Sequence, residues 1–194
     1  MRQTLMTMIL ALTLGATAAQ AQDDLYGTPN TKEQRAQTRK QRKAEQAHTD
    51  SILAAEAIQA VRDTAFTLEA DQVVFKDGSM AMVNSNTNFV SVCGDRAVVQ
   101  IAFNVPWPTP NGIGGVTLLG TVQKMQVQTD RRGTTLIRMN VVGVGISAQV
   151  VITIYPKSNK ASVDVLPNFN SRRITLRGTL LPASKSTVYQ GWGI

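Results

Sequence analysis

The sequence predicts a mainly β protein: an antiparallel barrel-like or sandwich body of about ten strands with an N-terminal helix packed on it. Three observations predict this. After Arg62-Asp63 apolar residues recur at every second position, the period at which side chains share one face of a strand. Turn residues separate these short segments, with no helical period between them. Ahead of them Leu53, Ala54, Ala57, Ile58, Val61 and Ala65 recur at helical spacing and mark one apolar helix face. Such a helix would cover an open end or edge of the sheet.

Taken in order, the chain begins with a segment that reads as an export signal over 1–21. Arg2 supplies a positive start, Leu5 to Ala18 is mostly apolar, and Ala19-Gln20-Ala21 is an A-x-A cleavage site. The apolar stretch is shorter than the roughly 20 residues that span a bilayer. The expected mature chain starts at Gln22, carries no transmembrane segment, and is periplasmic or extracellular.

Residues 22–45 form a basic polar arm, expected to be partly helical or disordered. Lys32, Arg35, Arg39, Lys40, Arg42 and Lys43 stand against Glu33 and Glu45, a local excess of four positive charges out of a formal net charge of +7. Thr31-Lys32-Glu33-Gln34 can form a capping box, so a helix from about residue 32 is expected. No apolar stripe accompanies its first half, which therefore has nothing to bury. The arm carries no interleaved aromatics for stacking on bases, and no Trp, Phe or Leu to enter a lipid interface. No nucleic acid is expected as a partner.

Residues 46–194 read as a single β-rich domain with a leading amphipathic helix. Phe66, Leu68 and Ala70 open the alternation. Gln72 to Lys76 and Ser79 to Val83 flank Asp77-Gly78, which suits a two-residue hairpin turn. Thr87 to Val92 leads through Cys93-Gly94-Asp95-Arg96 to Ala97, Val99, Ile101 and Phe103 on one face. From Val116 to Thr129 the parity changes between Val116/Leu118 and Met125/Val127, so a bulge near Gly120 is expected. Asp130-Arg131-Arg132-Gly133 turns the chain into Ile137, Met139 and Val141. Ile146, Ala148, Val150, Ile152 and Ile154 form the cleanest alternating set, followed by Ala161, Val163 and Val165, then Ile174, Leu176 and Leu180, and a tail through Val188 and Trp192. A transmembrane barrel shares this pattern, but the aromatic content of 5% is too low for two interfacial girdles.

Several chemistries are excluded by composition. A single Cys and a single His rule out a disulfide scaffold and a Cys/His zinc site within the chain, and no metal or other cofactor is expected. His48 sits in the polar part of the helix, too far from the strand body for a nucleophile–histidine arrangement. Cys93 is expected to be buried and inert at a strand end. Glu69 and Asp71 are the nearest to a carboxylate pair, and read as solvated strand-end acids. Gly143-Val144-Gly145 lacks the third glycine and following helix of a dinucleotide loop and reads as a bend.

The most distinctive loop is Val105-Pro106-Trp107-Pro108-Thr109-Pro110-Asn111-Gly112-Ile113-Gly114-Gly115. Alternating prolines stiffen its first half, and Trp107 between two of them would either stack on a ligand or plug one end of the body. Trp107 and Asn111, with Arg138, Arg173 and Arg177 as a basic patch on the polar face of the sheet, form the candidate ligand site.

Asn88-Phe89-Val90, Thr121-Val122-Gln123-Lys124-Met125, Asn159-Lys160-Ala161, Pro167-Asn168-Phe169, Ile174-Thr175-Leu176-Arg177-Gly178 and Val188-Tyr189-Gln190-Gly191 carry a wider likeness. Over about residues 48 to 194 the chain resembles the exported bacterial domain-of-unknown-function 4251 family. That resemblance implies export, a β-rich body and an uncharacterised role, and supplies no catalytic residues. The expected function is that of a non-catalytic exported cell-envelope protein binding an unidentified ligand or protein partner. Two alternatives are a structural or interaction protein acting through its basic arm or a sheet edge, and a glycan-active enzyme using a carboxylate pair.

Overall fold

The computed structural model describes residues 32–103, 112–168 and 173–191. The chain divides into two compact units, residues 1–46 and 47–194. What is described of the first, from residue 32, is the opening of helix α1 (Lys32–Arg62), where every residue of described exposure is exposed. The segment is rich in Lys, Arg, Gln, Glu and Ala, all strong helix formers, which hold it helical without burial.

In the second unit the end of α1 buries Ala57, Ala60 and Val61 in the core. Thr64, at a positive φ of 50°, turns the chain out of the helix, and its carbonyl accepts the Gly94 N–H. Nine strands follow: β1 (Ala65–Val74), β2 (Met80–Met82), β3 (Phe89–Cys93), β4 (Arg96–Ala102), β5 (Gly115–Thr129), β6 (Thr135–Gly143), β7 (Ser147–Ile154), β8 (Lys160–Pro167) and β9 (Ile174–Pro182). All pairings are antiparallel, and β1 pairs with β9, so β1 and β3 to β9 close an eight-stranded barrel. The ninth strand, β2, is a short addition to the second half of β1.

Alternation along each strand sorts residues between the barrel interior and its outside. Leu68, Val90, Val99 and Leu118 form one interior rung across β1, β3, β4 and β5. Ile137, Met139 and Val141 face inward on β6, Ala148, Val150, Ile152 and Ile154 on β7, Ala161, Val163 and Val165 on β8, and Leu176 and Leu180 on β9. The interior is a packed core.

Closure depends on irregularities in two neighbouring strands. In β1 the register against β9 skips between Ala70 and Gln72, a bulge at Asp71. Beside it Gly178 pairs with Ala70 on one side and Ala161 on the other. A Cβ on Gly178 would run into the Glu69 carbonyl oxygen and come within 2.7 Å of the Ala70 Cα, both backbone atoms. The parity change in β5 occurs four residues later than Gly120. Its register against β6 shifts between Gln123 and Gln126, and Lys124 takes the positive φ of 53°. Gly120 stays in regular pairing, opposite Ala97 and Gly143, where the walls approach too closely for a side chain.

The two Asp/Gly turns are built alike, and each holds one residue more than a two-residue hairpin. Phe75 N–H donates to the Ser79 carbonyl and Asp130 N–H to the Thr134 carbonyl, leaving three residues in each loop, with Gly78 and Gly133 at φ of 85° and 86°. The carboxylates brace the turns: Asp77 accepts from the Ser79 hydroxyl and N–H, and Asp130 from the N–H groups of Arg132 and Thr134. These bonds favour the ionised form and hold both carboxyls below the usual aspartate range. The chief cause is the Ser79 hydroxyl for Asp77 and the Thr134 N–H for Asp130.

After β9 a short 3-10 turn (Ala183–Lys185) leads into a tail that crosses the outside of the barrel. Its path follows one outer rung, Glu69, Phe89, Gln100 and Thr117, on β1, β3, β4 and β5. Glu69 accepts the Ser186 hydroxyl at 2.8 Å and the Thr187 N–H at 3.1 Å. The Gln100 amide donates to the carbonyls of Tyr189 and Thr87 and accepts from the Gly191 N–H and the Thr117 hydroxyl. Phe89, Gln100 and Thr117 are therefore buried although they point away from the core. The Lys185–Glu56 ion pair at 2.8 Å is partly exposed and worth less than about 1 kcal/mol.

Two outcomes follow. Gly178→Ala forces two strand backbones apart at the closure and should cost about 2–3 kcal/mol in chemical denaturation, as overpacking against rigid atoms does. Gln100→Leu keeps the volume but strips partners from two carbonyls, one N–H and one hydroxyl. It should cost about 2–4 kcal/mol and make the chain after Lys185 sensitive to protease. A loss below about 0.5 kcal/mol would show that water replaces those bonds.

Candidate functional site

Successive strands run in opposite directions, so their connections alternate between the two ends of the barrel. The helix end carries the β3–β4, β5–β6 and β7–β8 turns, and the open end carries the β1–β2, β4–β5, β6–β7 and β8–β9 connections. At the open end the wall is incomplete. β3 pairs only with Ala65 to Glu69 of β1, and β2 takes over at Gln72 to Val74. Between them Asn84 to Asn88 leave the sheet in hydrogen-bonded turns, with the Asn84 carbonyl accepting from Thr87 and from both nitrogens of Asn88. The Asn88 side chain then caps the β4 ladder by accepting the Ala102 N–H at 2.8 Å.

Among the described residues this break leaves β2 with an unpaired edge. Ser79 and Val83 hydrogen-bond toward β1, through Phe75 and Asp71. By antiparallel alternation Ala81 does the same, while the N–H and C=O groups of Met80 and Met82 point away from β1. Their side chains are 61% and 75% exposed. A cleft of about 780 Å³ adjoins this edge, lined among the described residues by Ala81, Met82, Val83, Asn84 and Thr87 on one side and Ala102, Phe103 and Gly112 to Gly114 on the other. A second hollow of about 560 Å³ is lined by Phe75, Lys76, Asp77, Arg173 and Ile174. The Phe75 and Phe103 rings, 5.7 Å apart, join the linings of the two.

Trp107 and Asn111 lie outside the described residues. The positions that flank their loop, Ala102–Phe103 and Gly112–Gly114, line the larger cleft. The three arginines point outward from the barrel at different places. Arg173 pairs with Asp164 at 3.1 Å, Arg177 donates to Gln72 at 3.4 Å, and Arg138 donates to Gln128 at 3.5 Å. Arg173 and Arg177 share the β9 region, whereas Arg138 is on β6 with β7 and β8 between. Arg173 borders the hollow beside Phe75 at the open end.

Other sequence expectations resolve on burial and partners. Cys93 is exposed, contrary to the buried position expected of it: Val92 faces the core, so the next residue on the strand must face out. Glu69 is committed to the tail, and Asp71 sits exposed at the bulge. Gly143-Val144-Gly145 is the bend between β6 and β7, with Val144 92% exposed. Among the described residues no three His, Cys, Asp or Glu side chains gather as metal ligands, and no helix is long and apolar enough to cross a membrane.

Sequence reasoning missed the free edge and the aromatic pair. The signal for the first was present in Asn84-Ser85-Asn86-Thr87-Asn88, a polar run that interrupts the strand opposite β1. Nothing local shows that Phe75 and Phe103 meet, because they come from separate hairpins.

No curated protein matches the chain. A crystal structure of a DUF4251 family protein from Bacteroides eggerthii is similar to it, with 46% sequence identity and a TM-score of 0.64 over 72% of this chain and 94% of that one. The family model described as "Domain of unknown function (DUF4251)" matches residues 49–180, which hold the end of α1 and nearly all of the barrel. The chain therefore belongs to the DUF4251 family.

Proposed function

We propose that this is an exported, non-catalytic binding protein of the cell envelope whose site is the break in the barrel wall at the open end. The observation that carries the reading is the conjunction of an unpaired strand edge at Met80 and Met82 with a cleft of about 780 Å³ whose lining includes Val83, Phe103 and Ile113. A pocket of this size, with Met82, Val83, Phe103 and Ile113 beside Asn84, Thr87 and backbone polar groups, suits a ligand that carries both apolar and hydrogen-bonding groups. Phe103 and Gly112, on either side of positions 104–111, both belong to that lining.

The free edge favours one form of the alternative reading, a partner acting at a sheet edge. Alternating N–H and C=O groups on β2 would accept an extended peptide as an added strand, and the cleft would take every second side chain. The carboxylate-pair alternative draws no support from Glu69, whose side chain holds the tail.

Ile113→Arg places a charge in the cleft at a half-buried turn position outside the core. It should weaken binding of the apolar probe anilinonaphthalene sulfonate by about tenfold, the effect of losing one buried apolar contact plus a charge penalty, while the melting temperature stays within about 3 °C. Undiminished probe binding in that variant would contradict the site.

A further inference from the structure

The helix turns the basic arm from a charge count into a geometric object. At 3.6 residues per turn, Lys32, Arg35, Arg39, Arg42 and Lys43 fall within an arc of about 100° on α1, while Lys40 lies about 60° beyond it. The acids at positions 33 and 45 are outside the arc. The five cations run about 16 Å along the helix axis. All five are exposed, and among the described residues no ion pair joins any of them to an acid. Mutual repulsion along such a row is unfavourable for the free helix, and an opposing row of negative charge relieves it. The stripe also lies ahead of the segment that the family model matches.

We propose that this face of α1 binds a linear acidic polysaccharide. Three features select that partner. The residues from Lys32 to Gln46 include no Trp, Tyr, Phe, Leu, Ile, Val or Met, so this stretch of α1 has no apolar side to enter a lipid surface. The same absence of aromatics removes the stacking platform by which single-stranded nucleic acid is held. A straight row of cations on one helix face offers contacts to a polymer that presents its charges in a row and requires nothing else of it. The partner is thus recognised by sulfate or carboxylate groups repeated along one chain. The stripe shares no residue with the cleft lining, and either reading can fail without the other.

The test uses the chain from Gln22 onward and fluorescein-labelled heparin as the linear polyanion, read by anisotropy. Binding is expected at low salt and should fall steeply as salt rises, since each contact releases a counterion. The decisive variant carries R35Q, Q37R, Q41R and R42Q together, which keeps the net charge and the helix-forming composition but moves two cations out of the row. It should bind about tenfold more weakly, as two lost phosphate-like contacts imply. Lys40→Gln, outside the row, should change affinity less than about twofold. R35Q/R39Q/R42Q provides a second check, with helicity followed by circular dichroism, and should abolish binding. Equal affinity of the charge-conserving variant and the parent would overturn the proposal, because net charge alone would then explain retention. Tighter binding to single-stranded DNA or to phosphatidylglycerol vesicles than to heparin would overturn the choice of partner.

Discussion

Closure of the sheet through β1 and β9 is the constraint on which the rest depends. An open eight-stranded sheet would expose two long edges and could not enclose an interior. Joining the ends converts alternation along each strand into a core of Val, Ile, Leu and Ala side chains and an outside free for other uses. The join is made where β1 bulges at Asp71 and Gly178 lets the backbones touch. The one unpaired strand edge left in the described sheet belongs to β2, where the wall changes strand between Glu69 and Gln72.

The outside of the barrel is used twice, with opposite chemistry. Over β1, β3, β4 and β5 the tail makes two hydrogen bonds to Gln100 and two to Glu69, while Thr87 and Thr117 complete the Gln100 amide, so a face that would otherwise be wet becomes a small buried polar layer. At the open end no described residue gives such cover to the corresponding groups of Met80 and Met82. Both regions flank β1: under the tail the polar groups are satisfied, and beside β2 the described residues line a cleft. That is the physical basis for placing the proposed binding site at the break.

Much of the fold was legible because period two is a local property. Ala148, Val150, Ile152 and Ile154 are buried as their spacing requires, and Ala161, Val163 and Val165 follow the same rule. Parity told that β5 must slip once between Leu118 and Met125, but several positions satisfy that count, and the choice of Lys124 rests on which residue takes positive φ. Closure was not legible. Asp71 and Gly178 are 107 residues apart and acquire meaning only when β1 meets β9. Gln100 was missed for the same reason, since a polar residue in the outward phase is ordinary until the tail arrives 89 positions later. The cleft was not legible, because its lining comes together only where β2 gives way to β3 beside the ends of β4 and β5.

The account rests on the claim that β2 offers a free edge at the open end, and amide hydrogen exchange tests it residue by residue. The expected pattern is slow exchange at Ala81 and Val83, which donate to β1, with fast exchange at Met80 and Met82 between them. Protection of all four amides to the same degree in the isolated protein would show that the edge is already occupied, and would contradict the assignment of the break as a binding site.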